Sequence, residues 1–230
     1  MDNSAYSCKS NLWRGSLSER LFFGMLALAS LLAALAGGPA VADDSMPATP
    51  PQATIEEMIA KTLAVLHTNQ DAVRKNPLGV MKQITGIVDP YVDFNIVSEG
   101  VLGVGWRRAD EQQRARFARA FHRLLENDFA DVFKRYTGQT IKVTGVRWED
   151  DARHRAIVSS QVEAPGAQSV EVDFHLYQTG GKWKIYDVVV DGVSLLLNYR
   201  EEFASELEHE SLDALIAQLE QKVAAAGVTH

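Results

Sequence analysis

The stretch GKWKIYDVVVDGVSLLLNYREEF, residues 181–203, begins as a strand and ends as a helix, apolar through both, with Gly192 the only pause. Immediately upstream, residues 168–178 alternate with period two. Val170, Val172, Phe174 and Leu176 point one way, and Glu171, Asp173, His175 and Tyr177 the other. That pattern marks a strand with one buried face. Thr179-Gly180-Gly181-Lys182 ties it to the strand at 182–191 as a tight hairpin. APGAQ (164–168) and EDDAR (149–153) are turns bounding two earlier strands, about 154–164 and 140–148. Four strands linked in this way predict an antiparallel meander.

Helices flank the meander on both sides in sequence. Thr54-x-x-Glu57 has the form of a capping box, opening a helix to about residue 74 on the stripe Ile55, Met58, Ile59, Thr62, Leu63 and Leu66. Asn76-Pro77 and Asp89-Pro90 each place a capping side chain before a proline, predicting helices over 77–88 and 90–99. GVLGVGW (100–106) reads as a glycine-rich break. Asp110-x-x-Gln113 opens the longest helix, to about 136, with Phe117, Phe121, Leu124, Leu125, Phe129, Val132, Phe133 and Tyr136 on one stripe. Helices at about 193–208 and, capped by Ser211, 212–225 close the chain. The expected fold class is α+β: one domain over 54–226, a curved four-stranded antiparallel sheet packed with helices.

The front of the chain sets the compartment. Arg14 and Arg20 precede an apolar run from Leu21 to Ala36, and Ala40-x-Ala42 follows. This is the pattern of a secretory signal peptide over 1–42, cleaved after Ala42. The run is shorter than the roughly 20 residues a membrane span needs; an uncleaved anchor is the alternative. Residues 43–53, rich in proline, read as a disordered leader. Cleavage removes Cys8, the only cysteine, so the mature chain has neither disulfide nor thiol chemistry. Cleavage also removes Lys9, Arg14 and Arg20 against Asp2 and Glu19, leaving 20 basic and 28 acidic residues and a net charge of −8. That balance argues against nucleic acid as a partner and against a loose electrostatic hold on anionic lipid surfaces. An exported chain without disulfides points to the periplasm.

Few residues suit catalysis. Ser194 lies in Gly192-Val193-Ser194-Leu195-Leu196, which lacks the second glycine of a nucleophile elbow and reads instead as a helix N-cap. The six histidines show no metal-ligand spacing, and His154 and His175 lack companions. Gly100, Gly103 and Gly105 follow a helix rather than a strand, against a dinucleotide loop. Asp187 falls by strict alternation on the apolar face with Trp183, Ile185 and Val189. It is either an acid tied to a helix end or an arginine, or the general base of a small isomerase-like cavity.

Through most of the chain that follows the leader the sequence resembles the MlaC family, periplasmic phospholipid carriers of the Mla pathway that are also described as toluene-tolerance auxiliary proteins. The resemblance rests on VDFNIVSEGVLGVGW (92–106), Gln112, Phe117, Phe121, Leu124-Leu125, Tyr136, WKIYDVVVDGVSLLLNYREEF (183–203) and LDALIAQLEQK (212–222). Coverage is about 54–224. Phe129 stands where the family commonly has tyrosine, and Asp191 where it has glutamate.

The resemblance implies a sheet and helices enclosing an apolar cavity for acyl chains. Its lining is expected from Phe94, Val97, Val101, Trp106, Phe117, Phe121, Leu125, Phe129, Val143, Val158, Val172, Phe174, Trp183, Ile185, Val189 and Leu196. Gly192 would turn the chain at the rim, and the glycines at 100, 103 and 105 would serve as hinges. The implied cargo is a phospholipid, with no cofactor and no metal. The implied partners are an outer-membrane lipoprotein–porin complex and an inner-membrane ABC transporter carrying MlaD-type domains, with the carrier itself a monomer. A diacyl lipid has about 30 methylenes at about 0.8 kcal/mol each, on the order of 24 kcal/mol against crossing water unaided. Its cavity should approach or exceed ~1,000 Å³. The alternatives are an isomerase- or dehydratase-like enzyme using Asp187, or a receptor for hydrophobic solutes.

Overall fold

The computed structural model describes residues 50–164 and 166–228; the signal peptide, its cleavage site and residues 43–49 of the leader lie outside them. Helix α1, Pro51–Thr68, starts three residues before the expected capping box. Pro51 occupies the first helical position, where its missing N–H is not needed. Thr54 is thereby inside the helix, its hydroxyl donating to the Pro50 carbonyl at 3.2 Å. Asn69 interrupts the helix at φ −116°, its side-chain amide donating to the Val65 carbonyl at 2.8 Å. The single helix expected to residue 74 is thus two, the second being α2, Gln70–Lys75.

Asn76 caps α3, Pro77–Val88, by accepting from the Gly79 N–H at 2.9 Å. The helix expected over 90–99 begins four residues late and is not started by Asp89-Pro90. Asp89–Tyr91 is one turn of 3₁₀ helix, Val92 is extended and bridges Ile185, and Asp93 caps α4, Phe94–Leu102. The glycine-rich break is correspondingly narrower. Gly100 lies inside α4, and only Gly103, at φ +58°, separates that helix from the short α5, Val104–Arg108. Helix α6, Glu111–Phe133, carries the complete capping box, with Asp110 and Gln113 exchanging backbone bonds of 2.8 and 3.1 Å.

The strands are β1 Thr140–Trp148, β2 Arg155–Glu163, β3 Val170–Thr179, β4 Lys182–Val190 and β5 Val193–Ser194, antiparallel in sequence order. The fifth, unexpected strand is a two-residue return after a turn at Asp191-Gly192, both at positive φ (47° and 79°). Such a turn matches the twist of the strands it joins. Helices α7, Leu195–Leu207, and α8, Leu212–Val228, complete the chain.

Two β-bulges decide which side chains share a face. One lies in β1 between Val143 and Gly145. The other lies in β4, where Leu176 pairs with Ile185 but His175 pairs with Asp187, leaving Tyr186 as the extra residue. Trp183 and Ile185 therefore share a face with Val188 and Val190. Asp187 and Val189 lie on the opposite face, contrary to strict alternation.

Three apolar clusters form the core. The first is purely helical and joins α4, α6, α7 and α8 around Phe117, Phe121, Phe203 and Tyr199. The second joins α1 to one sheet face through Ile55, Met58, Ile59, Ala156, Val158, Leu176, Trp183 and Ile185. The third joins α1, α2, α3 and the end of α6 around Leu66, Val80, Ile84 and Ala130. Leu63 and Val88 pack against both the second and the third.

Candidate functional site

The sheet face toward α1 forms rows across the strands. The row Trp148–Ala156–Leu176–Ile185 is sealed at its centre, with Ala156 and Leu176 at 0% exposure. In the next row, Val146–Val158–Phe174–Val188, only Val158 is fully buried; beyond it Val143, Val172 and Val190 flank Ser160 and are half-buried. Ser160 satisfies its hydroxyl on the Val172 carbonyl at 2.9 Å, so that row stays apolar toward the interior. The sheet thus presents an apolar wall whose cover by α1 is complete at one end and incomplete at the other.

The expected lining divides among the clusters. Val143, Val158, Phe174, Trp183 and Ile185 belong to this wall, and Val172 joins it by register. Val97, Val101, Trp106, Phe117, Phe121, Leu125 and Leu196 belong to the helical cluster, where Phe117 and Phe121 stack at 5.8 Å and meet Phe203 edge-on. Phe129 packs in the third cluster. Phe94 is half-buried with its ring edge-on to His122 at 4.3 Å. Val189 faces away from the wall. Val188 and Val190 take its place there, which alternation missed because nothing in a run of valines signals the bulge. Leu63 and Val88, at the seam between clusters, were also missed.

Gly100 is a packing point rather than a hinge: a Cβ there would stand 2.8 Å from Leu196 Cδ1, so α4 approaches α7 closely. Asp187 holds the start of α7. Its carboxylate accepts from the Val188 N–H (2.8 Å), the Ser194 hydroxyl (2.6 Å) and the Leu196 N–H (3.0 Å), while Ser194 caps Leu197 at 3.0 Å. This is the reading of Asp187 as an acid tied to a helix end.

The opposite sheet face is polar and aromatic. Tyr177 donates to Asp93 and Tyr186 to Glu149 at 2.9 Å, and His175 lies 3.8 Å from Glu149. Burial, then the accepting carboxylate, pushes both tyrosine hydroxyls up to about 12. Between α6 and α7, Tyr199 donates to Asp128 at 2.8 Å. Nearby, Glu202 is pushed up to about 7, chiefly by burial; Lys222 opposes the shift, and Asp128 and Glu206 add to it.

A recess of about 340 Å³ opens at the α1–α2 junction, lined by residues 67–72. Its lining is polar and its volume small for acyl chains, so it is not the hollow expected from the sequence. Among the described residues no group of three or more His, Cys, Asp or Glu side chains could hold a metal ion. No helix among them is long and apolar enough to cross a membrane.

An antiparallel meander with an incompletely covered apolar face, flanked among the described residues by eight helices, defines an α+β protein built around an apolar interior. Residues 56–221 match the family described as MlaC protein, and the chain belongs to that family. It is similar to the intermembrane phospholipid transport system binding protein MlaC of Haemophilus influenzae, 24% identical over 175 residues, 75% of this chain and 82% of that one. It is also similar to the toluene tolerance protein ttg2D of Pseudomonas putida, 26% identical over 184 residues, 80% of this chain and 83% of that one. Among solved structures, its fold matches the phospholipid-binding protein from Ralstonia solanacearum in complex with a phospholipid. The TM-score is 0.70 at 23% identity, covering 78% of this chain and 99% of that one.

Proposed function

We propose that the protein is a periplasmic phospholipid carrier that holds acyl chains against the α1-facing side of its sheet and leaves the headgroup at the surface. The observation that carries this reading is the half-covered wall of Val143, Val172, Phe174, Val188 and Val190, an apolar surface that its own helices leave unfinished. Membership of the MlaC family and relatives named for phospholipid transport and binding support it. The tails are accommodated by parting the second and third clusters along the seam at Leu63 and Val88, which touch both. Replacing bilayer contacts with protein contacts makes loading nearly neutral, so direction comes from partners. Those partners are an outer-membrane lipoprotein–porin complex and an inner-membrane ABC transporter with MlaD-type domains, and the carrier is exported with its signal removed after Ala42.

Such a carrier works by binding alone. Asp187, the residue an isomerase-like enzyme would use as base, already accepts three hydrogen bonds. Native mass spectrometry of the protein purified after export tests the reading: a bound diacyl phospholipid is expected. Protein that carries no lipid, and yields none to solvent extraction, overturns it.

A further inference from the structure

Among the described residues, a few buried side-chain polar atoms have no hydrogen-bond partner, and two of them, the Thr62 and Thr85 hydroxyls, stand at the seam between the second and third clusters. Thr62 lies on the buried stripe of α1 between Ile59 of the second cluster and Leu66 of the third, beside Leu63. Thr85 lies on α3, which packs on α1, next to Ile84 of the third cluster and one turn before Val88. Both threonines, like Leu63 and Val88, are half-buried, so each buried hydroxyl sits close beneath the surface. Thr54 and Thr68 of α1 satisfy their hydroxyls on the carbonyl four residues back, at 3.2 and 2.8 Å; Thr62 and Thr85 do not. The other unpartnered atoms outside these helices lie elsewhere. Trp183 and Tyr136 are deep in the second and third clusters, Ser98 is on α4, and Asp173 is on the opposite sheet face.

We infer that the Thr62 and Thr85 hydroxyls donate to the ester carbonyls of the bound lipid and so make the carrier selective for ester-linked diacyl lipids. The inference rests on the carrier reading and adds which part of the cargo the protein reads. A phospholipid with its tails inside and its headgroup outside places its two ester groups at the boundary, the depth at which these hydroxyls sit. Parting the seam at Leu63 and Val88 draws the tails between α1 and α3 and brings the glycerol region past Thr62 and Thr85. An ester carbonyl accepts and cannot donate, so burying it away from any donor is costly. A buried hydroxyl without an acceptor carries the same kind of penalty, and both are relieved when the one donates to the other. Two hydroxyls, one from each helix, match the two carbonyls. A site that bonds a ligand group discriminates against the analogue lacking it, because its own polar groups are then left unpaired. An ether-linked lipid is such an analogue. A buried water shared by the two hydroxyls is the competing account, and it gives no such selectivity.

The test loads the exported, purified protein by exchange against vesicles holding equal parts of diester and diether phosphatidylcholine with matched chains. The protein is then re-isolated, and mass spectrometry gives the ratio of the two lipids bound. Wild-type protein is expected to favour the diester lipid about fivefold or more. Thr62→Val/Thr85→Val keeps the branched side-chain shape and removes both hydroxyls; it should still hold lipid, with a ratio within about twofold of equal. Thr62→Ser/Thr85→Ser keeps the hydroxyls and should retain most of the preference. If the double valine variant does not fold, the two single valine variants decide the question, each expected to lose part of the preference. Wild-type protein that takes both lipids equally overturns the ester inference and leaves the carrier reading intact. Valine variants that keep the full wild-type preference also overturn it, and a lowered melting temperature in them assigns the hydroxyls to an internal water instead. Protein that takes up neither lipid removes the carrier reading and this inference with it.

Discussion

Asp187 in β4 accepts a hydrogen bond from the Leu196 N–H at 3.0 Å, so the carboxylate that begins α7 comes from a strand rather than from the helix's own flank. The Ser194 hydroxyl, 2.6 Å from the second oxygen, completes a link between β4, β5 and α7. An acceptor at a helix N-terminus satisfies N–H groups that have no intrahelical partner and complements the helix dipole.

Asp187→Ala should therefore destabilise the protein by roughly 2–4 kcal/mol, because it strands a hydroxyl and two N–H donors together. Urea unfolding measures this. A loss under about 0.5 kcal/mol means that water or Ser194 alone satisfies the helix start.

The β4 bulge can be tested by substituting neighbours. Val188→Trp puts bulk onto the half-covered wall and should cut the phospholipid recovered per protein about tenfold, while Val189→Trp, on the other face, should leave it near wild type. Lipid extraction followed by headgroup and chain analysis reads the difference. Equal losses in both variants, or a loss only at Val189, contradict the assignment of faces.

The contact between α4 and α7 predicts coupling. Gly100→Val places atoms within 2.8 Å of where Leu196 Cδ1 now sits and should destabilise by about 1–3 kcal/mol. In a Leu196→Ala background the same change should cost markedly less, giving a coupling energy of at least about 0.5 kcal/mol. Purely additive effects would show that the helices separate freely there.

Glu202 predicts a pH dependence. Its folded-state value, about 7, lies above the ordinary value of 4.5, so between those limits the folded chain binds more protons than the unfolded one. Stability then falls as pH rises through this window, the reverse of a salt-bridged carboxylate. Glu202→Gln removes the titration and should raise the melting temperature at pH 8 relative to wild type while leaving pH 4 nearly unchanged. A variant less stable at both pH values shows instead that the ionised carboxylate is held by Lys222.

Much of this architecture was legible in the residues. The alternation in β3, the Asn76 cap, the Asp110–Gln113 box and the Ser194 cap are local signals, because each depends on atoms within three or four residues along the chain. Phe117 and Phe121 were identifiable as interior for the same reason, since helical spacing alone places them on one stripe.

Less of the site could be read. Val188 and Val190 replace Val189 on the wall because one residue is inserted in β4, and a bulge is a property of strand pairing. The short β5, the 3₁₀ turn at Asp89–Tyr91 and the bonds from Asp187 to α7 likewise depend on partners distant in sequence or on how the chain packs. The linear sequence determined the four long strands, the long helix α6 and the apolar face of each, because those choices follow from short-range sterics and periodicity. Only the tertiary structure decided which apolar faces are sealed and which are left half-covered, because burial is set by neighbours brought together in space.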